Sequence, residues 1–560
     1  MIGLVAATRR GEGLAGQLAA AWPDARGYSG SAASQLPRVW GQCDGLVLFM
    51  AVGAAVRLIA PLLAAKERDP GVVCVDDAGR FAIALAGGHA GGANALALRV
   101  ATALGAEPVV TTASDALGYP ALDSLGSDLG FVVDPASKVS AVGAALVNGE
   151  RVTWSSDLNW PLPTLPAHVE PTTQPQAPCL VVTDRICAVP APAVIYRPAS
   201  LVLGVGCSRG TGAEEILTLI DQTLAGAALS PLSVRHIASV DVKADEAGLI
   251  EAAARRGWPT AFYPAQELAE IAVPNPSEVV RAAVGTPSVA EAAAIASGGS
   301  IIVSKATSGQ VTVAVGRVPP RGRLYLLGTG PGDPSLIPAM TREALARCAV
   351  VVGLDRYVEQ VRGLLRPGCA VMASGIGDEI ARAEAAVAEA RAGAAVALVS
   401  GGDVGVYAMA SPALALATAD IDVVAVPGIT AATAAASLLG APLGHDHCSI
   451  SLSDLLTPWE VIRQRIVAAA TADFVIVFYN PKSRGRDWQL EAARRILLEH
   501  RTPTTPVGVV TDAFRPRQAV AITSLEQLDV DRVGMTSIVV VGNSQTELRC
   551  GRMVTPRGYA

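Results

Sequence analysis

LYLLGTGPGDPSLIPAMTREAL, residues 324–345, reads as a buried strand, a rigid turn and a helix. An unbroken apolar run is how a strand covered on both faces looks, the habit of parallel sheets between helical layers. Glycines 328, 330 and 332 and prolines 331 and 334 follow at once, and open α/β sheets bind ligands at such a turn beyond a strand's carboxyl end. The turn is not a nucleotide P-loop, because no Lys-Ser/Thr pair closes it.

The same strand–turn rhythm continues downstream. VALVSGGDVGVYAMASP (396–412) is a strand, a glycine pair with one carboxylate, then a helix, and VVAVPGITAATAAASLLGAPL (423–443) is a strand, a Pro-Gly turn and a helix of small residues. FVIVFYNP (474–481) ends a strand on Tyr-Asn-Pro, and VGVVTDAFRP (507–516) and MTSIVVVGN (535–543) supply further strands. Upstream, VPPRGR (318–323) is a proline-marked hinge.

The first half alternates β-branched runs with Ala/Leu-rich stretches, again the α/β signature. Strands are expected at 1–6, 45–49 and 108–111, a hairpin at 72–75 and 81–85 about the turn Asp77-Ala78-Gly79, and a helix over 91–104. Prolines cluster from 159 to 199, where a small extended module and a flexible linker are equally good readings. LVLGVG (201–206) starts a fresh strand that runs through CSRGTG into a helix.

At 560 residues the chain needs several cores, and 51% apolar with 17% charged residues makes burial easy. A net charge of −6 argues against a nucleic-acid surface, so an anionic ligand must be met by local Arg and Lys. The nine cysteines form no CxxC pair and no zinc-like spacing, as expected of reduced thiols in a cytoplasmic protein with no metal site. MIGLVAATRRGEG is not a signal peptide, and the apolar runs are too short to span a bilayer, so no membrane association is expected.

The set GPGDP, GGD, PGITA, YNP and TSIVVVGN, in this order, resembles the tetrapyrrole (corrin/porphyrin) methyltransferase family from about 323 to 543. SGGDVGVYAMASP, FYNPKSRGR and TSIVVVGNSQT are most similar to its ring-contracting branch, the precorrin-3B C(17)-methyltransferases. The resemblance implies a two-lobed αβα fold, lobes 323–443 and 445–550, distinct from the usual Rossmann-type methyltransferase. It also implies S-adenosyl-L-methionine as methyl donor in the cleft between lobes, a small-molecule precorrin substrate, and a homodimer through this domain. The residues carried over as donor contacts are Gly330, Pro331, Gly401, Gly402, Asp403, Val406, Thr430, Ala431, Tyr479, Ala513 and Thr536. Read physically, Gly401 and Gly402 let the donor approach backbone because they lack a Cβ, and Thr430 and Ala431 follow a Pro-Gly turn where free N–H groups are expected. The family often has GGDP; Val404 here predicts a less rigid turn. Asp333 is the candidate general base or substrate-orienting carboxylate, with a helix cap as the competing role. Lys482, Arg484 and Arg486 could meet substrate carboxylates, but a solvated loop is preferred.

FMAVGAAVRLIAPLLAAKERDPGVVCVDDAGRFAIALAGGHAGGANALA (49–97), VVTTASDALGYPALD (109–123), GVGCSRGTGAEEI and IIVSKATSGQVTVAVGR resemble the cobalamin biosynthesis protein G family, cobalt-precorrin-5A hydrolases. The expected organisation is therefore α/β and multidomain: 1–130 and 201–318 hydrolase-like, 131–200 the Pro-rich module, 323–560 the methyltransferase. The function implied is bifunctional: methylation at carbon 17 with ring contraction, and lactone opening that releases acetaldehyde. Lactone hydrolysis needs a polarised carbonyl and an activated water. His89, in a glycine-rich turn, and Arg57, a lone cation on an apolar helix, are the catalytic candidates. A turn-bonding role for His89 stands beside the catalytic one. Asp115 is acid/base or cap, with the cap preferred; Glu214 and Glu215 suit a helix start; Lys305 could bind carboxylate; Cys207 is read as a buried thiol.

Two rival readings remain open at this point. The first half could be a non-catalytic tetrapyrrole-binding or channelling module. GVGCSRGTG also hints at a dinucleotide oxidoreductase, but it lacks the third glycine spacing and the acidic residue at the next strand end. The residues do not say whether cobalt is already in the ring.

Overall fold

Alternation with period two sorts each central strand's side chains onto two buried faces, and that sets the layers. The structure, a computed structural model, describes residues 1–64, 68–88, 91–483 and 485–558, the side chain of Asp115 excepted. The chain forms two units, one of Met1–Asn159 with Leu165–Pro320, the other of Trp160–Thr164 with the residues from Arg321 onward.

The first unit holds three sheets. The six-stranded sheet runs in the order Ala25–Tyr28, Ile2–Ala6, Gly45–Phe49, Gly71–Val75, Phe81–Ala86, Glu107–Val109. Leu4, Val47, Phe49, Val73 and Val75 pack on one side under helices Arg9–Ala21 and Ala93–Leu104. Val5, Leu46, Leu48, Val72 and Cys74 pack on the other under Ala32–Val39 and Val52–Ile59. The hairpin about Asp77-Ala78-Gly79 is present, its strands antiparallel.

The proline-rich stretch is not a flexible linker. Val132–Val133, Ala193–Arg197, Cys179–Val182, Val152–Ser156 and Val169–Pro171 make a five-stranded sheet, and Pro171 ends an edge strand, where a missing N–H costs no ladder bond. The third sheet orders Thr260–Tyr263, Val234–Val240, Leu201–Cys207, Val311–Arg317 and Ser300–Ser308.

In the second unit, an all-parallel sheet runs Ala370–Ser374, Val350–Leu354, Ala395–Ser400, Arg323–Gly328, Asp422–Val426. A second, mixed sheet runs His447–Ser451, Val475–Tyr479, Ser537–Val541, Pro506–Thr511, Ala519–Ser524. Strand Arg552–Val554 pairs with Gly440–Ala441, and Met553 is wholly buried beside Leu439 and Val510. Among the described residues no single helix is long and apolar enough to cross a membrane.

Candidate active site

Strand Arg323–Gly328 is flanked in parallel by Ala395–Ser400 and Asp422–Val426, so the turns after all three leave at one edge. Those turns interlock. Gly330 and Gly402 exchange two backbone hydrogen bonds, N–H to O at 3.1 and 2.8 Å, and both glycines sit at φ +71°. A Cβ on Gly428 would stand 2.0 Å from the Gly402 carbonyl oxygen, and one on Gly328 2.7 Å from the Gly428 Cα. Asp403 then bridges two turns, one carboxylate oxygen accepting from Gly405 N (2.8 Å), the other from Gly428 N (2.9 Å).

At Gly401 this corrects the reason for the glycine. The space beside Gly401 is filled by the Tyr357 ring, whose Cε1 would lie 2.2 Å from an added Cβ, and the space beside Gly428 is filled by backbone. Both glycines let the protein approach itself. The turn is also not loosened by Val404, which is buried in the core and accepts a bond from Ala410 N at 2.9 Å.

The second lobe reaches this edge through Tyr479. Its hydroxyl accepts from Ala432 N (2.9 Å), in the first turn of helix Ala431–Leu439, and shares a 2.6 Å hydrogen bond with Thr430 Oγ1. It thereby satisfies one of the helix's orphan N–H groups in place of a side-chain cap from Thr430. Burial pushes the Tyr479 phenol above its ordinary pKa, so it stays a neutral hydroxyl. Tyr479 packs with Val406, Ala431 and Ala513 in one apolar cluster, and the Tyr407 ring lies against it at 5.1 Å between centroids. Thr536 is exposed, and its carbonyl accepts from Asp512 N at 3.2 Å. Tyr407, Asn480, Asp512 and Phe514 all take left-handed backbone, four of only seven such non-glycine residues among those described. Strain of this kind gathers where the surrounding structure dictates loop shape.

Next to this cluster lies an open recess. One part, about 240 Å³, is lined by Gly332, Arg356, Gln360, Arg515 and Pro516. An adjoining part of about 420 Å³ adds Asp333, Pro334, Phe514 and Gln518. Arg515 lies where a Gly332 side chain would be, its Cγ 2.4 Å from an ideal Cβ, and donates through Nε to Pro331 O at 2.7 Å. Asp333 caps the short turn Pro334–Leu336, one oxygen accepting from Ser335 N (2.8 Å) and Ser335 Oγ (2.7 Å). Those bonds hold its carboxyl below the usual range, so it is ionised at neutral pH and a weak base. Arg486 is neither solvated nor turned to a ligand: it is buried and donates to Leu452 O (3.0 Å) and Asn480 O (2.6 Å), holding the Tyr-Asn-Pro turn. Lys482 pairs with Asp531 at 3.6 Å, and Arg484 lies outside the described residues. The sequence reading did not single out Arg356, Gln360, Arg515 or Tyr407. Arg515, inside the quoted FRP motif, and Tyr407, inside the quoted SGGDVGVYAMASP, carried a signal; Arg356 and Gln360 carried none.

In the first unit the described candidates Arg57, Glu214, Glu215 and Lys305 each bond to groups of the protein itself. Arg57 is exposed and donates to Gly53 O of its own helix at 3.0 Å. His89 and the Asp115 side chain lie outside the described residues. At Gly87 and Gly91 the glycine-rich turn packs closely on the strand start at Gly71: a Cβ on Gly71 would sit 2.1 Å from Gly91 O. Beside it Asn94, buried, donates to Thr112 Oγ1 at 2.9 Å, a polar pair that the sequence reading passed over. Glu214 pairs with Arg255, and Glu215 accepts from Gln310 N (3.0 Å) to hold a hairpin turn, which is more than a helix-end charge. Lys305 donates to Asn275 O (3.0 Å), while the fully buried Glu291 accepts from Asn275 N (2.9 Å), Asn275 Nδ2 (2.7 Å) and Lys305 N (3.1 Å). Burial pushes the half-buried Cys207 thiol up, in keeping with an inert residue. The GVGCSRGTG turn is closed by Glu246, which accepts from Gly210 N at 2.8 Å and pairs with Lys243 at 3.1 Å. That carboxylate occupies a turn N–H group of the kind that a dinucleotide's pyrophosphate uses.

Residues 323–529 match the family model described as Tetrapyrrole (Corrin/Porphyrin) Methylases. Residues 34–115, 120–198 and 201–316 match those of the Cobalamin synthesis G N-terminal, the Cobalamin biosynthesis central region and the Cobalamin synthesis G C-terminus. A Salmonella typhimurium protein named Probable cobalt-factor III C(17)-methyltransferase is 48% identical over 42% of this chain and 99% of its own length. A Sinorhizobium sp Precorrin-3B C(17)-methyltransferase is 41% identical over 43% and 98%. The Priestia megaterium Cobalt-precorrin-5A hydrolase is 38% identical over 52% of this chain and 83% of its own. Against the Priestia megaterium Cobalt-factor III methyltransferase, 45% identical, the chain spans only 45% of the relative's length.

Proposed function

Because the chain belongs to the tetrapyrrole methylase family through its C-terminal half and to the cobalamin synthesis G family through its N-terminal half, we propose that it is a bifunctional corrin-pathway enzyme. Its second unit methylates carbon 17 of the macrocycle as the ring contracts. Its first unit opens the lactone of the contracted ring, with release of acetaldehyde. The observation that carries the methyltransferase reading is the convergence of the interlocked turns, the Thr430–Tyr479–Ala432 bonds and the Val406–Ala431–Ala513 cluster at one sheet edge.

These residues fit a sulfonium donor with an adenosyl group and an amino acid. The cluster of Val406, Ala431, Ala513 and Tyr479 offers an apolar bed for a flat base, and Thr430 and the backbone of Gly401 and Asp403 offer polar partners. When bound, S-adenosylmethionine supplies an electrophilic methyl group. The macrocycle's own electron-rich carbon is the nucleophile, so this chain contributes position rather than a side-chain attack. The Gly330–Gly402 bridge and Asp403 fix the loop backbone against displacement. Asp333, ionised and at the recess, orients the substrate rather than removing a proton. Any cobalt belongs to the substrate. The reading carries with it a cytoplasmic enzyme that forms a homodimer through the second unit, which sedimentation of the purified chain reports.

The test is incubation of the full chain with labelled S-adenosylmethionine and either precorrin-3B or cobalt-factor III, followed by mass spectrometry. One methyl group on the tetrapyrrole is expected; an unmethylated product with both sinks the reading. Acetaldehyde released from cobalt-precorrin-5A reports the first unit, and none would make that unit a binding or channelling module.

A further inference from the structure

The recess beside Gly332 has a charge problem that the fold does not solve internally. Arg515 and Arg356 both line it. Arg515 spends its Nε on Pro331 O (2.7 Å), and the carboxylate paired with it, Asp512, stands 3.9 Å from Nη1, the outer limit of an ion pair. Arg356 lies over the Tyr357 ring, 4.8 Å from its centroid, and donates Nη2 to the Tyr357 hydroxyl at 3.0 Å. Among the described residues no carboxylate pairs with Arg356. Asp333, in the adjoining part of the recess, is engaged with Ser335.

Each group is also held in place. Arg515 is anchored by the Pro331 carbonyl. Gln360, in the same lining, donates Nε2 to Thr329 O (3.0 Å) and accepts from Thr329 Oγ1 (3.1 Å). A chain of net charge −6 that leaves two anchored guanidiniums in one concavity has built a site for an anion. The planar fork of arginine suits a carboxylate, and anchoring in advance lowers the ordering cost of binding.

We propose that Arg356 and Arg515 form a clamp for one peripheral carboxylate arm of the tetrapyrrole and thereby decide which edge of the macrocycle enters the cleft. The proposal rests on the methyltransferase reading above for the identity of its ligand. The clamp is a positioning device: it touches the substrate's rim, remote from the carbon that gains the methyl group.

The test uses the full chain and the variants Arg356→Gln, Arg356→Lys and Arg515→Gln. Two readouts are taken: KM for the tetrapyrrole and for S-adenosylmethionine separately, and equilibrium binding of uroporphyrin III, a stable polycarboxylate, by fluorescence. Losing one charge-assisted contact should weaken tetrapyrrole KM and uroporphyrin binding about tenfold in each Gln variant, with S-adenosylmethionine KM unmoved and partial rescue in Arg356→Lys. Arg356 makes no backbone contact to the turn, so its variants separate clamp from folding. Unchanged uroporphyrin affinity in Arg356→Gln overturns the clamp, as does wild-type protein that binds no uroporphyrin. A parallel rise in S-adenosylmethionine KM also overturns it, because the clamp would then hold the donor's carboxylate. If wild type methylates neither tetrapyrrole, the methyltransferase reading fails, while the uroporphyrin titration still decides the clamp.

Discussion

Tyr479→Phe removes a single oxygen and leaves the ring, so it isolates the hydroxyl that ties the two lobes at the candidate donor site. That oxygen accepts from Ala432 N at 2.9 Å and shares a bond with Thr430 at 2.6 Å. A buried N–H left without an acceptor costs about 1–3 kcal/mol. Thr430 is the N-cap residue, and it can turn its own hydroxyl toward the helix, which recovers part of that loss. The single variant should therefore lose about 1 kcal/mol, and Tyr479→Phe with Thr430→Ala about 2–3 kcal/mol, more than the sum of the singles. Urea unfolding of the full chain measures this, read on the transition that S-adenosylhomocysteine shifts. Calorimetry should show S-adenosylmethionine binding weakened about threefold to tenfold, the equivalent of about 0.7–1.4 kcal/mol. If Tyr479→Phe leaves both the transition and the donor affinity unmoved, the phenol does not organise this helix start.

Asp403→Asn turns an amide N–H toward the backbone N–H of Gly405 or Gly428; a loss of about 1–3 kcal/mol and weaker donor binding are expected, by calorimetry and urea titration. Gly428→Ala should cost about 3 kcal/mol from backbone overlap, whereas Gly13→Ala, in open space within a helix, should gain about 0.5–1 kcal/mol; equal effects would contradict the interlock. Asp333→Asn should keep methyl transfer within about tenfold, since Asn also caps; a loss beyond about a hundredfold would restore it as a general base. For Glu291, burial acts to raise the carboxyl pKa, but the bonds from Asn275 and Lys305 outweigh it and the net shift is downward from 4.5. Its folded value therefore lies below the unfolded one, so its stabilisation is complete above about pH 4.5 and fades as pH falls through the folded pKa. Glu291→Gln should lower the first unit's Tm at pH 7 and converge on wild type in acid; a gap that holds constant down to pH 3 would contradict it.

What the sequence shows and what it hides divides along range. The hairpin at Asp77-Ala78-Gly79 and the two-faced strands were legible because turn chemistry and period-two patterning act within a few residues. The 159–199 stretch was not, because prolines read alike in a linker and on an edge strand; only the neighbouring ladder decides. Arg486 read as a solvated loop charge because the carbonyls it holds, at Leu452 and Asn480, become a pair only after folding. The same blindness hid Arg356 and Arg515, which line one recess from a helix and a loop far apart in the chain. At 401 and 428 the sequence showed that a side chain is not wanted, but not that the intruder is the protein's own backbone and the Tyr357 ring.

That last point bears on how such a scaffold could be re-aimed at another macrocycle. A knot of turns so close that a Cβ on Gly428 would stand 2.0 Å from the Gly402 carbonyl oxygen behaves like a keystone: no single voussoir can be recut without dropping the arch. Changes of substrate must then come from the parapet, positions such as Arg356, Gln518 and Tyr407, whose side chains can be exchanged while the three turns beneath stay as they are.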